Sequence, residues 1–316
     1  MHNKQEQILK SKVIRRGFSR RASCFAVRDA FADYFPSNEF GDYRAFVDSP
    51  GECLKAEAGT RITLLSRHVN GQDGGSFKKF VLKKYRYPFF LRFKTVFNIP
   101  KAEREFNAFI NLERLGIPAA EPVAFGVEKT LFNSVRSCFI VTVHVGETTN
   151  LSSHRKSDRR PRSEIGAHYG DIILGQIGER LRRIHQARFF LFTMSSKNIL
   201  LRRPSGQSME TLFIDLPYAR TLRWRPLMRW AQKRDIAVFL GSFLLHPMDA
   251  DHSFFYKAYL PDPLGGSDQA LMQRVGRSVK VRQNKTLLSL WMHRIKWFLR
   301  AGAKLRKTSP QTTNEG

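Results

Sequence analysis

Acidic residues are scarce in this chain of 316 residues, where 27 Asp and Glu stand against 54 Lys and Arg. The formal charge of +27 favours a polyanionic partner such as nucleic acid, an anionic lipid headgroup or a phosphorylated glycan. Composition does not choose among these three. Cysteine is scarcer still, and Cys24, Cys53 and Cys138 form no CxxC pair. Their spacing argues against a disulfide framework or a zinc ribbon and indicates a reducing compartment.

Long apolar runs are missing as well. The longest, Ile236 to Leu245, is too short for a membrane-spanning helix, which needs about 20 residues. The first residues, MHNKQEQILKSKVIRR, have no apolar core of the kind that predicts a secretory signal. We therefore expect a cytoplasmic protein that contacts a membrane only peripherally. The length and a hydrophobic share of 42% predict a globular protein with one large domain or two lobes.

Residues 51–145 predict a small lobe rich in β-structure. ECLKAE, ITLLSRHV and SFKKFVLKKY predict three antiparallel strands, because turn residues separate these runs of apolar and β-branched side chains. The run KAEREFNAFINLERLG has apolar residues near helical spacing and is followed by Pro118, which predicts a helix that ends at Gly116. AEPVAFGVEK and SCFIVTVHV predict two more strands. The expected lobe thus has five strands and one inserted helix.

The flanking segments differ in composition. Residues 1–50 are predicted to form a basic N-terminal extension, with a helical and turn-rich part over 23–50. The tail over residues 1–22 is either solvated or in contact with an anionic surface. Residues 282–316 are predicted to form a basic helix and a tail. Its amphipathic stretch, 286–300, suits an anionic headgroup layer, and packing on the large lobe is the alternative.

Residues 146–281 are predicted to form a second, mainly helical lobe. A polar and basic linker or surface loop is expected over 146–164. Helices are expected over 172–184, over 234–245 and over the run HSFFYKAYL. Together with the preceding segment, this order of elements predicts an α+β protein with two lobes.

The most informative stretch lies between His185 and Asp215. An apolar helix end carries His185, a short loop ends in Asn198, and the runs ILL and TLFI surround a Gly/Ser turn before Asp215. Helix, loop, Asn, hairpin and Asp is the layout of the catalytic and metal-binding loops of a protein-kinase-like fold. The amide oxygen of Asn198 and the carboxylate of Asp215 suit Mg²⁺ or Mn²⁺. The alternatives are a turn residue for Asn198 and a strand-end cap for Asp215.

Two residues of the small lobe complete this pattern. Lys83 closes the strand FVLKKY, where a lysine can reach nucleotide phosphates, and Glu105 lies on the following helix, where it can pair with Lys83. Glu103 is the competing partner on that helix. The alternative for Lys83 is a surface lysine, because the segment around it is rich in basic residues.

Six runs resemble the bacterial lipopolysaccharide core kinase family, which phosphorylates Kdo or heptose sugars and has a protein-kinase-like fold. They are FVLKKY, KAEREFNAFINLERLGIPAAEPVAFG, LRRIHQA, KNILL, TLFIDLPYAR and KRDIAVFLGS, within residues 51–245. The resemblance implies ATP and a divalent metal, Mg²⁺ or Mn²⁺. It implies that Lys83 binds nucleotide phosphates with Glu105 as its partner, and that Asn198 and Asp215 bind metal. It also implies that Asp235 is a buried structural anchor for the catalytic loop.

The same resemblance implies an acceptor and a location. The acceptor is expected to be the lipopolysaccharide core or a Kdo-lipid A precursor, and the site of action the inner membrane. Residues 220–234 carry six basic residues and two tryptophans, Trp224 and Trp230. Arginine binds carboxylates or phosphates as a fork, and an indole face can cover a sugar ring, so this segment suits an anionic sugar. A solvated basic loop is the alternative.

The chain departs from the family pattern at its catalytic loop. Thr193 ends the run Leu191-Phe192-Thr193, where the family has His-Arg-Asp, and no Asp or Glu occurs between residues 180 and 209. Asp215-Leu216-Pro217 replaces Asp-Phe-Gly, and no GxGxxG loop is present, with Gly59 the only evident hinge. A threonine cannot accept a proton as a carboxylate does, and such a group contributes about 10²–10⁴-fold to rate. His185 is the nearest titratable group, although a histidine at a helix end is more often structural.

Three functional hypotheses follow. The first is an ATP-dependent phosphotransferase acting on a sugar of the lipopolysaccharide core. The second is a pseudokinase-type scaffold that binds nucleotide without transfer, which the threonine at position 193 favours. The third is a nucleic-acid-binding protein, which rests on the charge of +27 alone, because no nucleic-acid motif is present.

Overall fold

Seven antiparallel strands form the sheet of the small lobe. The computed structural model describes residues 12–15, 22–35, 43, 47–57, 59–69, 76–130, 132–157, 170–203, 209–243, 252–260, 270 and 273–279. The order of the strands across the sheet is β1-β2-β6-β7-β5-β4-β3. Along the chain the strands are β1 (Lys12–Arg15), β2 (Ala22–Val27), β3 (Glu52–Glu57), β4 (Thr60–Val69), β5 (Ser76–Arg86), β6 (Pro122–Lys129) and β7 (Val135–Val143). The five strands predicted from residues 51–145 are β3 to β7, and the structure confirms all of them.

The described part of the N-terminal segment packs on this lobe, whereas the sequence predicted a basic extension over residues 1–50 with a helical and turn-rich part over 23–50. Strand β2 pairs with β6 from Ala22↔Lys129 to Val27↔Ala124, and a 3₁₀ helix, Asp29–Tyr34, follows it. The physical reason is the apolar outer face of the sheet, which needs a cover. Phe35 meets the buried ring of Phe80 with a centroid distance of 5.1 Å. The helical prediction therefore holds for part of the segment and is wrong for β2.

Strand β5 separates two environments, because side chains alternate across a strand. Phe80 and Leu82 are buried in the outer core with the N-terminal segment. Val81, Lys83 and Tyr85 point to the opposite face and line the cleft between the lobes. This alternation is what carries a charged side chain into an otherwise apolar part of the sheet.

The inserted helix of the small lobe is confirmed. After the short helix α1 (Phe89–Arg92), α2 (Lys101–Arg114) packs on β6 and β7. The helix ends as the sequence predicted. Gly116 has a φ of 62°, and the Ile117 amide donates to Leu112 O at 2.9 Å. This left-handed closing turn is the conformation that glycine adopts without a steric cost.

The large lobe combines helices with short strands. Its helices are α3 (Leu151–Ser157), α4 (Gln176–Gln186), α5 (Arg225–Phe243), α6 (His252–Tyr259) and a helical segment over 273–279. A π-helical turn, Gly170–Gly175, precedes α4. Its strands are β8 (Thr149–Asn150), β9 (Phe189–Phe190), β10 (Ile199–Arg202), β11 (Glu210–Phe213) and β12 (Arg220–Thr221), with the orders β11-β10-β8 and β12-β9.

The predicted linker over residues 146–164 is wrong for residues 149–157, which form β8 and α3. Asn150 pairs with Leu200 of β10, and its side-chain oxygen accepts the Ser153 amide at 2.7 Å. An asparagine in this position is a favoured helix N-cap. Leu151, fully buried, anchors the new helix in the core. The segment was predicted as a loop because its composition is polar, although it contains the helix N-cap Asn150 and the buried Leu151.

The predicted helices of the large lobe are found. Helix α5 begins at Arg225, well before the predicted start at residue 234, because Pro226 is compatible with a first helical turn. Helices α4 and α6 approach closely at Gly178, where an added Cβ would lie 2.5 Å from Phe255 O. The predicted helix over residues 286–300 lies outside the described residues. Among those described, no helix is long and apolar enough to cross a bilayer.

Candidate active site

A cavity of about 480 Å³ opens between the small-lobe sheet and the large lobe. Apolar side chains from both lobes line it, with Ile62, Val81 and Ile140 from the sheet and Leu200 and Ile214 from the large lobe. Four of the predicted site residues also line it: Lys83, Glu105, Asn198 and Asp215. A mostly apolar pocket with a few convergent polar groups is the usual form of a small-molecule site.

Lys83 lies between two carboxylates. Its Nζ is 3.3 Å from Glu105 Oε1 and also donates to the Asp215 carboxylate. Burial lowers the pKa of Lys83, but the charges of Glu105 and Asp215 outweigh burial and raise it above its ordinary value. Lys83 therefore carries its positive charge at neutral pH and links the small lobe to the strand end that carries Asp215.

Glu105 is the partner of Lys83, and Glu103 is not. The side chain of Glu105 is only 3% exposed, and its second oxygen accepts a hydrogen bond from Tyr85 Oη at 2.6 Å. Burial raises the pKa of Glu105, and the positive charge of Lys83 opposes that rise. Glu103 is half-buried elsewhere on α2, where burial raises its pKa and Lys129 lowers it.

Tyr85 is a site residue that the sequence-based prediction missed. It follows Lys83 by two positions on β5, so both side chains point into the cleft. The alternation of the strand is the signal that predicts its place. Lys101, at the start of α2, also lines the cavity, with its Nζ 5.6 Å from the ring centroids of Tyr85 and Tyr218.

Asp235 is fully buried in α5 and holds the loop before Asn198. Its carboxylate accepts the backbone amides of Leu191 at 2.8 Å and Phe192 at 2.6 Å. Its Oδ2 also lies 3.3 Å from His185 Nε2, while His185 Nδ1 lies 2.7 Å from Tyr259 Oη. Both ring nitrogens of this buried histidine thus have partners, which favours the structural alternative for His185.

Two residues of the loops adopt the left-handed conformation, Phe192 with φ 62° and Asp215 with φ 58°. Aspartate tolerates this region better than a bulky residue such as phenylalanine. Such conformations cost about 1–3 kcal/mol and persist where the surroundings impose them. At Phe192 the surroundings are the Asp235 carboxylate, the Arg220 guanidinium 4.7 Å above the ring, and the Trp230 ring at 6.0 Å.

Thr193 connects the two loops through its hydroxyl group and has no acidic group. Its hydroxyl lies 3.2 Å from Asp215 O and 3.4 Å from Leu191 O, and can donate to either. The Asn198 side-chain nitrogen donates to Thr193 O at 2.9 Å, and the Ile214 amide donates to Asn198 O at 3.0 Å. The loop that ends in Asn198 is therefore bonded to the Asp215 strand even though residue 193 lacks a carboxylate.

Asn198 and Asp215 fit a divalent metal by their donor chemistry. The nitrogen of the Asn198 amide is used in the loop, and its oxygen accepts no hydrogen bond within the described part of the chain. The Asp215 side chain is 43% exposed towards the cavity. No group of three or more His, Cys, Asp or Glu suited to a metal exists among the described residues. Mg²⁺ is commonly held by one or two carboxylates together with phosphate and water, so this sparse pair of ligands is compatible with it.

The basic segment over residues 220–234 forms β12 and the first turns of α5. Trp224 is 68% exposed and Trp230 46% exposed, and the Arg234 guanidinium lies 5.5 Å from the ring centre of Trp230. Arg220 lies over Phe192, next to Thr193. Arg104 of α2 is a second cation close to this surface. Burial lowers the pKa of Arg104, and the nearby charge of Arg220 lowers it further.

Two solved structures and one family model are similar to this chain. A solved structure described as WaaP in complex with acyl carrier protein is similar over 81% of this chain and 98% of that chain, with a TM-score of 0.52 and 18% identity. A double mutant of the Mycobacterium tuberculosis PknI kinase domain matches 72% of this chain and 94% of that one, with a TM-score of 0.35 and 15% identity. No curated protein matches the sequence.

The likeness to WaaP supports the protein-kinase-like fold expected from the sequence. The matching family model describes the lipopolysaccharide kinase (Kdo/WaaP) family and covers residues 53–259. Its range includes the cavity, both loops, and helices α2 and α5. The chain therefore belongs to the lipopolysaccharide kinase (Kdo/WaaP) family.

Proposed function

We propose that the protein is an ATP-dependent phosphotransferase that acts on a Kdo or heptose sugar of the lipopolysaccharide core, at the cytoplasmic face of the inner membrane. The observation that carries the proposal is the convergence of Lys83, Glu105, Asn198 and Asp215 on one cavity between the lobes. Phosphoryl transfer depends mainly on positioning and on neutralising charge, and these are the side chains that such a task requires.

Each residue has a role in this proposal. Lys83 binds the phosphates of the nucleotide, and Glu105 with Tyr85 fixes the direction of its ammonium group. The oxygen of Asn198 and the carboxylate of Asp215 hold Mg²⁺ or Mn²⁺. The nucleotide supplies the phosphoryl group when it is bound, and the metal neutralises charge on the phosphates. Ile62, Val81 and the other apolar residues of the cavity cover the base.

The Lys83 ammonium group donates to the Asp215 carboxylate. A phosphate that binds there competes with Asp215 for the ammonium group, while a metal ion gives the Asp215 carboxylate a new partner. Nucleotide and metal are therefore expected to bind cooperatively. The nucleotide phosphate gives Lys83 a new partner and the metal ion gives Asp215 one, so together they replace the Lys83–Asp215 ion pair.

The acceptor sugar is proposed to lie against the surface formed by Arg220, Trp224 and Trp230. This surface adjoins Thr193, where a kinase receives the hydroxyl that it phosphorylates. Guanidinium groups suit the carboxylate of Kdo or phosphates on neighbouring sugars, and the exposed indoles suit a sugar ring.

The second candidate is a scaffold that binds nucleotide without transfer. Thr193 favours it, since the hydroxyl is hydrogen-bonded within the loops and carries no charge that could orient an acceptor. Loss of such a group costs about 10²–10⁴-fold in rate, which leaves nucleotide binding intact.

Calorimetric titration with Mg·ATP tests the shared part of both candidates. The wild type is expected to bind, and Lys83→Ala and Asp215→Asn are each expected to weaken binding about tenfold or more, as for loss of a charge-assisted contact. Lys84→Ala is the matched control, because Lys84 is the next residue on β5, points away from the cleft and pairs with Asp48 at 3.3 Å. Absence of binding in the wild type, or equal loss in the control, contradicts the nucleotide site.

Transfer of labelled phosphate from ATP to Kdo-lipid A separates the two candidates. Turnover by the wild type that is lost in Asp215→Asn establishes the phosphotransferase and excludes the scaffold. A wild type that binds Mg·ATP without turnover, together with a Thr193→Asp variant that gains it, establishes the scaffold. The variant also shows whether the loop still positions a carboxylate at residue 193.

A further inference from the structure

The segment between β5 and α2 exposes an unusual group of large apolar side chains. Phe93 is 69% exposed and Phe97 is 95% exposed. Their neighbours in the chain are exposed to a similar degree: Phe89 at 73%, Phe90 at 71% and Ile99 at 56%. Single apolar residues at a surface are ordinary, but a contiguous group of them marks an interaction site. We call residues 89–99, together with the exposed Phe132, the aromatic knob.

Hydrogen bonds within the aromatic knob and to its neighbours hold its backbone. The Val96 amide donates to Phe93 O at 3.3 Å, and the Asn98 amide donates to Thr95 O at 3.4 Å. Arg92 Nε donates to Tyr87 O at 3.0 Å, and Arg104 donates to Ile99 O at 2.9 Å. The Val135 amide donates to Thr95 Oγ1 at 2.8 Å, which brings the β6–β7 turn, and Phe132 with it, against the segment. The rings are thus held at the surface by a folded backbone and are not the product of a loose loop.

A cationic cavity adjoins the aromatic knob. It has a volume of about 540 Å³ and lies on the face of the sheet away from the nucleotide site. The basic side chains that line it are Lys84, Arg86, Arg92 and Arg136. Two of these cations have carboxylate partners, since Lys84 pairs with Asp48 at 3.3 Å and Arg136 with Glu128 at 3.7 Å.

The other two cations remain available for an anion. Among the described residues, no carboxylate pairs with Arg86 or Arg92. Arg92 itself belongs to both features, because it lines the cavity and its guanidinium lies 5.9 Å from the ring centre of Phe89. The cavity and the knob therefore form one continuous surface that is apolar at its tip and positively charged at its base.

We propose that the aromatic knob inserts into the headgroup layer of an anionic phospholipid bilayer, with Arg86 and Arg92 of the cationic cavity on the lipid phosphates. Aromatic rings above a basic base suit this layer, where apolar groups reach the acyl boundary and guanidinium groups bind phosphate. The exposed rings need a partner with an apolar layer, and an anionic bilayer supplies that layer together with phosphates for Arg86 and Arg92.

The knob is joined to the active site through α2. Ile99 and Pro100 lead directly into α2, and Lys101 at the start of that helix lines the nucleotide cavity. The docking surface is independent of the proposed transfer reaction, because it requires neither nucleotide nor turnover.

Co-sedimentation of the full chain with vesicles tests the proposal. Vesicles of phosphatidylcholine alone are compared with vesicles containing about one third phosphatidylglycerol, at physiological ionic strength. The double variant Phe93→Ser/Phe97→Ser is expected to partition onto anionic vesicles at least about tenfold less than the wild type. Arg86→Gln is expected to lower the same partition about fivefold and to leave neutral vesicles unaffected.

Phe77→Ser is the matched control. Phe77 is 49% exposed at the far end of β5, roughly 30 Å from the knob by the length of the strand. The control is expected to bind like the wild type, and thermal unfolding verifies that each variant is folded. Heparin serves as a soluble polyanion, and the serine variant is expected to bind it like the wild type, because heparin offers no apolar layer.

A second measurement follows insertion directly. In a Phe97→Trp variant, the emission that remains after subtraction of the wild-type spectrum is expected to shift to shorter wavelength with anionic vesicles. Vesicle binding that is unchanged by the two serines overturns the proposal. Equal loss of heparin and vesicle binding also overturns it, as does a Phe97→Trp emission that does not shift. Absence of ATP binding leaves this proposal standing, so its failure is distinguishable from failure of the proposed function.

Discussion

The fully buried Asp235 offers the sharpest test of how the loop before Asn198 is held. Asp235→Ala removes the acceptor of two buried backbone amides, those of Leu191 and Phe192, and one partner of His185. Leaving a buried donor unsatisfied costs about 1–3 kcal/mol, so the two amides together account for about 2–6 kcal/mol. We expect the free energy of unfolding of Asp235→Ala to fall by an amount in this range.

Two further variants set the scale. Asp235→Asn retains one acceptor oxygen but turns an NH₂ group towards the second amide, so we expect about half of the loss, about 1–3 kcal/mol. Asp48→Ala is the matched control, since Asp48 is 70% exposed and pairs with Lys84, whose side chain is 13% exposed. Water screens a carboxylate that is this exposed, so its ion pair is expected to contribute only about 0–1 kcal/mol.

Urea unfolding followed by circular dichroism measures these differences. The midpoint is the quantity to compare, provided that the slope of the transition is the same in each variant. An Asp235→Ala loss below about 1 kcal/mol, or one no larger than that of Asp48→Ala, would show that the amides find other partners. The anchoring role assigned to Asp235 would then be wrong.

Two more predictions concern packing and reactivity. Gly178→Ala is expected to destabilise the protein by about 1–3 kcal/mol, because its Cβ would collide with Phe255 O. Gly241→Ala is expected to be neutral or stabilising by up to about 1 kcal/mol, because it gains helix propensity and its Cβ would have no neighbour closer than 3.8 Å. Thermal unfolding of both variants measures the difference, and equal effects would contradict the close approach of the two helices at Gly178. Burial raises the pKa of Cys138 to about 11. Alkylation by iodoacetamide at pH 8 is therefore expected to be at least about tenfold slower at Cys138 than at the exposed Cys53. Peptide mass spectrometry measures the two alkylation rates, and comparable rates would refute the protection of the Cys138 thiol.

The small lobe could be predicted well from the sequence, because its signals are local. Short segments separate β3, β4 and β5, and a turn separates β6 from β7, while α1 and α2 lie between β5 and β6. Gly59 at the β3–β4 turn has a φ of 85°, a conformation that glycine adopts without a steric cost. Glu105 was predicted as the partner of Lys83, with Glu103 as the competing residue. The choice between them depends on the rotation of α2 against the sheet, which is a tertiary contact.

Other features have no local signal. Strand β2 forms because β6 has a free edge and the sheet has an apolar face to cover, and neither is visible within residues 22–35. The short strand β8 exists because Asn150 meets Leu200, far along the chain. Tyr85 could have been predicted as a site residue, because its position two residues after Lys83 places it on the same face of the strand.

The position of Thr193 gains a physical meaning from these contacts. The shape of its loop comes from Asp235 below it and from Asn198, whose side chain holds Thr193 O. The side chain of residue 193 adds only hydroxyl contacts to the backbone oxygens of Asp215 and Leu191. The conformation of the loop does not depend on a carboxylate at residue 193. The threonine at this position therefore changes the charge next to the proposed acceptor surface and not the fold. Any transfer by the wild type must then rely on other groups to orient the acceptor, and Arg220, packed over Phe192, is the cation best placed to do so.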